Sequence, residues 1–215
     1  MDIAGARRKA ARISAWRHRS REFSRMRELT DGLASALWAG PRPPADAREL
    51  CRALCAEMSA RRGGRPIELR FERFPDEIEV TGLWVELPDF DLVIVEERAE
   101  AVQQLVILGH ELWHMHAGHD HHHPAGAAAA GALAERSDWQ DGALTERADW
   151  QDVALSVAAR DGSRAADEAA ADDFGHRLAA ALRPLLAPRP AGPPPGPLQR
   201  SLGYRDPRGP AGTAR

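Results

Sequence analysis

An apolar segment in the middle of the chain, residues 99–119, limits most strongly how the protein can fold. It reads AEAVQQLVILGHELWHMHAGH. Its large apolar residues recur at intervals of three and four, which is the spacing along one face of an α-helix. They are Leu105, Leu108, Leu112 and Met115. The segment therefore predicts a helix with one buried side, and the rest of the chain must provide the core around it.

The residues before this helix have a different period. In PIELRFERF, residues 66–74, Ile67, Leu69 and Phe71 alternate with charged residues, as in a strand with one buried face. The segments GLWVEL and LVIVEE are typical of two further strands, joined by the turn PDFD. Together these segments predict an α+β fold, in which a small antiparallel three-stranded sheet packs against the 99–119 helix and further helices.

Two more helices are expected to complete the core. Residues 45–62 carry Leu50, Leu54 and Met58 at four-residue spacing, and Gly63 with Gly64 ends this helix. Residues 163–183 form the last predicted helix, with a second apolar stripe facing inward. That stripe consists of Ala171, Phe174, Leu178 and Leu182.

The chain divides into three predicted parts. Residues 1–40 form a basic helical arm, residues 45–183 a folded domain, and residues 184–215 a disordered tail that holds nine of the sixteen prolines. Within the domain, residues 119–123 read HDHHH, which we interpret as an exposed turn that binds stray metal weakly. Residues 132–153 repeat an eleven-residue unit, a local duplication that lengthens a helix.

Charge and cysteine content restrict the location and the partners. Nine Lys or Arg lie between Arg7 and Glu28, with Glu22 and Glu28 as the acidic residues. This arm could touch nucleic acid or an anionic membrane, or it could simply be a solvated helix. No long apolar stretch follows it, so neither a secretory signal nor a membrane span is expected. Cys51 and Cys55 give no disulfide framework, so we expect buried thiols and a cytoplasmic protein.

The pattern HELWH within the central helix is typical of a metal site. His110 and His114 are one turn apart, so both can direct a ring nitrogen at the same ion. Neutral imidazoles suit Zn²⁺ at about 2.0–2.1 Å, and two of them form half of a tetrahedral shell. Glu111 projects beside such an ion, where it can act as the general base that takes a proton from water. The pattern therefore predicts a catalytic Zn²⁺ site.

A catalytic zinc needs a third protein ligand. Asp120 stands where an extended HExxHxxGxxH pattern would place it, but Ala117 replaces the glycine of that pattern. The alternative is Glu168 in the last helix, beside the inward-facing apolar stripe, where an unpaired acid is costly to bury. Asp172, one turn later, could accept a hydrogen bond from a ligand histidine. Glu168 could equally be a helix-start carboxylate favoured by the helix dipole, and spacing leaves both readings open.

HELWH followed by EAAADDFG resembles the ImmA/IrrE metallopeptidase-like family, in which HExxH precedes a helix of the form E-x-x-A-[ND]-x-F-[AG]. The resemblance covers roughly residues 45–183. It implies a zincin-like fold, Zn²⁺ bound by His110, His114 and Glu168, and Glu111 as general base. Members of that family are often regulatory or toxin components of toxin–antitoxin-like pairs, and some cleave or inactivate a helix-turn-helix repressor.

These observations support three hypotheses about function. The first is a zinc-dependent endopeptidase that cleaves a regulatory protein, with a helix-turn-helix repressor as the expected partner. The second is a non-catalytic regulator of transcription with a structural zinc site, which binds a transcription factor or DNA through the basic arm. The third is a metal-buffering protein, which predicts several ions per chain, most of them lost when residues 119–123 are removed.

Overall fold

The computed structural model describes residues 3–76, 80–118 and 165–186. The described elements are, in chain order, α1 (Ile3–Ala39), α2 (Ala47–Arg61), β1 (Ile67–Glu72), β2 (Gly82–Glu86), β3 (Asp91–Glu96), α3 (Ala101–Ala117) and α4 (Ala165–Leu186). The predicted α+β class is confirmed, and so are the three strands. The HDHHH run, the duplicated segment 132–153 and residues 187–215 of the predicted tail lie outside the described residues. Residues 184–186, which the prediction also assigned to the tail, are the last residues of α4.

The sheet is mixed, so the prediction of an antiparallel sheet was wrong for one of its two pairings. The strand order is β1-β3-β2; β2 runs antiparallel to β3, whereas β1 runs parallel to it. Because β1 and β2 lie at opposite edges and run in opposite directions, the chain between them only has to pass the end of β3. That distance is about 10 Å, two strand spacings, so a parallel pairing needs no crossover helix here.

The passage over the end of β3 is held by hydrogen bonds. The backbone N–H of Phe74 donates to the Glu96 carboxylate at 3.1 Å, and the Arg98 guanidinium donates to the Phe74 carbonyl at 3.1 Å. Arg98 also donates to Glu96, and these bonds lower the pKa of the Glu96 carboxyl. The first residues after β1 are thereby held across the sheet toward β2.

Burial confirms the predicted helical stripes but not a one-sided β1. The stripe residues of α2, α3 and α4 are buried, and β3, the central strand, is buried along its whole length. All six residues of β1 are only partly exposed, with no alternation between them. Because β1 is an edge strand, both of its faces are only partly covered; Arg48 of α2 lies over its Phe71 ring at 4.7 Å.

The cysteines and the N-terminal helix also contribute to the core. Cys51 and Cys55 are buried free thiols, as expected, and burial raises the pKa of Cys51 to about 12. The second half of α1 is buried against the rest of the protein through Met26, Leu29, Leu33 and Leu37.

No helix among the described residues is both long enough and apolar enough to cross a membrane.

Candidate metal centre

The site is built where α3 and α4 cross, and two glycines make that crossing close. A Cβ at Gly109 would lie 2.8 Å from the Cα of Gly175, and a Cβ at Gly175 would lie 2.5 Å from the Val106 carbonyl oxygen. Side chains normally keep helix axes about 8–10 Å apart, so the glycine pair allows the two backbones to touch. Glu168 and Asp172 precede Gly175 on α4, and the crossing brings both beside the histidines of α3.

Three side chains converge on one point. The Nε2 atoms of His110 and His114 are 2.8 Å apart, and the Glu168 carboxylate oxygens lie 3.3 Å from the first and 3.7 Å from the second. Ligand atoms of the three residues all lie within 4.8 Å of one another. Two nitrogens bound to one tetrahedral zinc are about 3.3 Å apart, so shifts of about half an ångström would admit an ion. The described residues therefore contain a cluster that can hold a metal.

Asp172 lies behind the first histidine. Its carboxylate accepts a hydrogen bond from Nδ1–H of His110 at 2.9 Å. A proton held on Nδ1 leaves the lone pair of a neutral ring on Nε2, the nitrogen that faces His114 and Glu168. The structure thus places Asp172 in contact with His110, as the sequence suggested, and this hydrogen bond would favour the tautomer that can bind a metal.

The acidic surroundings of His110 favour a positive charge at this point. Burial by itself lowers the pKa of this imidazole, but its hydrogen bonds to Glu168 and Asp172 and the charge of Glu111 outweigh burial and raise it to about 9. A nitrogen lone pair facing a carboxylate oxygen is repelled unless a proton or a cation lies between them. The N,N,O donor set is one that divalent zinc accepts.

Glu111 does not join the three converging ligands. Its side chain is buried against β2: a Cβ at Gly82 would lie 2.6 Å from Oε1 of Glu111, and the backbone N–H of Trp84 donates to the carboxylate. Burial and the charge of Glu168 raise the pKa of Glu111 to about 7, although His110 and the Trp84 N–H act in the opposite direction. This is the pKa range in which a carboxylate is an effective general base near neutral pH.

A cleft of about 370 Å³ opens between β2, α3 and α4. It is lined by β2 and the two residues before it, by one face of α3, and by Glu168, Asp172 and His176 of α4. The carbonyl of Thr81 and the N–H of Leu87 bond to the β3 side of the sheet. Because bonding direction alternates along an antiparallel strand, Gly82 and Trp84 direct their backbone groups away from β3, to an edge that no described strand covers. The Trp84 N–H is bonded to the Glu111 carboxylate there.

Sequence reasoning missed the residues that hold this edge in place. Asp91 is fully buried at the start of β3, where it accepts hydrogen bonds from the indole Nε1–H of Trp84 at 3.2 Å and from Arg62 and Arg65 at 3.2 and 3.1 Å. Arg62 also donates to the carbonyl of Met115 near the end of α3. The sequence pattern marks Asp91 only as part of a turn. Gly82 carried a usable signal, because glycine at a strand often marks close backbone approach.

Similarity to known proteins adds nothing to this geometry. Comparison of the chain with protein-family models, with curated proteins and with solved structures gave no match in any of the three. The resemblance to the ImmA/IrrE family therefore stays a prediction that depends on the two motifs. The metal centre depends on the distances between side chains and on the chemistry of their donor atoms.

Replacing Asp172 with alanine is expected to lower zinc affinity by about 10–100-fold, because the partner that orients a ligand histidine is lost. The matched control is Asp173→Ala, since this neighbouring exposed carboxylate pairs with Arg177 at 3.1 Å. Affinity is measured by competition with a chromophoric zinc chelator. Equal affinity of the two variants would contradict the role given to Asp172.

These titrations need a background without the second group of histidines. We define the His-run variant as the protein with alanine at the four histidines of residues 119–123, which are His119, His121, His122 and His123. Asp172→Ala and Asp173→Ala are both made in this variant, so that ions held by the run do not mask the site.

Proposed function

We propose that this protein is a zinc-dependent endopeptidase with a zincin-like arrangement of sheet and active-site helix. The observation that carries the proposal is that two neighbouring acids, Glu168 and Glu111, occupy different positions suited to different roles. Glu168 converges with His110 and His114, whereas Glu111 lies apart from them, buried against the strand edge with a pKa of about 7. A site that only holds a structural ion has no need of a buried base next to it.

His110, His114 and Glu168 would hold the ion, and Asp172 would orient His110. When bound, zinc would supply a Lewis acid that polarises a peptide carbonyl and makes a nearby water molecule more acidic. Three protein ligands leave a coordination position open, as catalytic zinc sites do. The same donor set accepts other divalent metals, so metal analysis of the protein must determine whether the bound ion is zinc.

Glu111 would accept the proton of the attacking water and pass it to the leaving amine. Its carboxylate faces the cleft from beneath the edge of β2, so a peptide bound there would have its scissile bond beside both the base and the metal ligands. The imidazole of His176, which also lines the cleft, would donate a hydrogen bond to the reacting carbonyl oxygen.

The substrate would be an extended stretch of protein chain. Gly82, with its N–H and carbonyl, and Trp84, with its carbonyl, lie along an edge that no described strand covers, and such an edge binds a peptide by adding it to the sheet. The family resemblance implies that the natural substrate is a helix-turn-helix repressor of a toxin–antitoxin-like pair in the cytoplasm. This partner depends on the resemblance, whereas the strand-edge mode of binding depends on the geometry of β2.

The test is metal analysis joined to a cleavage assay. We expect the His-run variant to bind one zinc per chain and to cleave fluorescein-labelled casein, which offers unfolded segments. Chelation should reduce cleavage by two or more powers of ten, since the metal contributes several kcal/mol to catalysis, and added Zn²⁺ should restore it. Undiminished cleavage by metal-free protein would refute the proposal, and so would loss of all bound zinc in the His-run variant.

A further inference from the structure

Positive charge is concentrated at one end of the molecule. Residues 1–28 contain nine basic and three acidic residues, whereas residues 29–215 contain 20 basic and 29 acidic residues. The chain as a whole has a formal net charge of −3, so bulk charge would repel a polyanion. The first part of α1, with six more basic than acidic residues (nine minus three), is therefore the segment best able to attract a polyanion.

This part of α1 continues a buried helix outward. The helix is unbroken from Ile3 to Ala39, and the side chains described before Met26 are not buried. Arg17, Arg19 and Arg21 are all exposed. At 1.5 Å per residue, the stretch from Ile3 to residue 25 is about 34 Å long, close to one helical turn of a B-form duplex. The packed second half fixes the direction in which the basic half extends.

The distribution of residues on this helix distinguishes nucleic acid from membrane. A helix that lies on a bilayer needs a continuous apolar face opposite a basic one. At 100° per residue, the nine basic positions between 7 and 27 fall on all sides of α1, and the large apolar residues between 7 and 25 are only Ile13, Trp16 and Phe23. Basic charge all around a helix instead suits a groove, where phosphates approach from both sides.

We infer that the basic segment of α1, residues 7–25, binds the phosphate backbone of a nucleic-acid duplex. Its arginines contact phosphates and set affinity rather than sequence preference. The acidic remainder of the protein stays away from the duplex, so one helix forms the whole contact. This binding function is separate from the peptidase proposed above and stands whether or not that peptidase is active.

The test measures binding of the full-length protein to fluorescein-labelled 25-base-pair DNA by anisotropy across a series of salt concentrations. We expect log K to fall linearly with log salt, by about 0.9 per phosphate contacted. A triple variant with Arg17→Gln, Arg19→Gln and Arg21→Gln should lower that slope by about 2–3 and weaken binding at least about tenfold at 0.1 M salt.

The matched control removes the same charge elsewhere. Arg42, Arg52 and Arg183 are also exposed, and their triple change to Gln should alter affinity less than about twofold if α1 alone touches the duplex. Duplex RNA of the same length is a parallel arm: preference for either duplex supports the inference and identifies the source of the phosphates.

Three outcomes would overturn the inference. The first is no salt-dependent binding to either duplex. The second is equal weakening by both triple variants, which would mean that only net charge matters. The third is binding to phosphatidylserine vesicles without binding to duplexes. Thermal unfolding of both variants should match that of the parent protein, because all six arginines are exposed.

Discussion

Replacing Glu111 with glutamine is expected to lower the rate of peptide hydrolysis by about 10²–10⁴-fold, the usual contribution of a general base. Zinc content should stay at the level of the parent protein, because the side chain lies against Gly82 and Trp84 rather than with the three ligands. Glutamine has nearly the same shape and can still accept the Trp84 N–H bond through its carbonyl oxygen. The fold should therefore be kept while the base is lost.

The informative comparison is with Glu168→Gln in the same His-run variant. Glu168 is one of the three converging ligands, so its amide should reduce both bound zinc and casein cleavage, whereas Glu111→Gln should reduce cleavage alone. If Glu111→Gln cleaves at the parent rate, Glu111 is not the base. If neither parent nor variant cleaves while both hold zinc, the non-catalytic regulator with a structural zinc site becomes the better account.

The pH dependence of the cleavage rate is a second test of Glu111 as the general base. Burial raises the pKa of Glu111 to about 7, and the base works only when it is deprotonated, so cleavage should rise with pH as this carboxyl ionises. A bound divalent cation favours the ionised form, which places the rising limb at or below about pH 7. Glu111→Gln should remove this limb from the residual activity, as measured by casein cleavage between about pH 5 and pH 8.

Replacing Gly175 with alanine is expected to destabilise the protein and to disrupt the metal site together. The new Cβ would lie 2.5 Å from the Val106 carbonyl oxygen and 3.2 Å from the backbone nitrogen of His110, so α3 and α4 must separate. Overpacking of this kind costs about 1–3 kcal/mol of unfolding free energy. Separation also carries Glu168 away from the histidines, so zinc affinity should fall by at least about tenfold.

The chain offers a matched control for this change. Gly32 also lies within a helix, but the three atoms nearest to a Cβ there would belong to the guanidinium of Arg61, the flexible end of an exposed side chain. Alanine is the better helix former by about 0.5–1 kcal/mol, so Gly32→Ala should leave stability unchanged or raise it. Urea unfolding and zinc titration of both variants decide the matter; a stable, zinc-binding Gly175→Ala protein would show that the close crossing is not needed.

Local patterns were sufficient to predict the type of most of the helices and strands that the structure describes. The intervals between Leu105, Leu108 and Leu112 predicted α3, and the alternation around Leu69 predicted β1, because these periods depend only on near neighbours along the chain. The same periodicity placed His110 one turn before His114, so two of the three residues of the candidate metal cluster were readable from five consecutive residues.

The remaining features arise from contacts between residues far apart in the chain. Spacing left Glu168 undecided between a ligand and a helix-start acid, and only the glycine crossing of α3 and α4 places it against both imidazoles. The parallel pairing of β1 depends on which edge of β3 it joins. The position of the Glu111 carboxylate depends on the backbone N–H of Trp84 in β2. Periodicity reports which face of an element is buried, whereas the identity of what covers that face is decided when the elements pack.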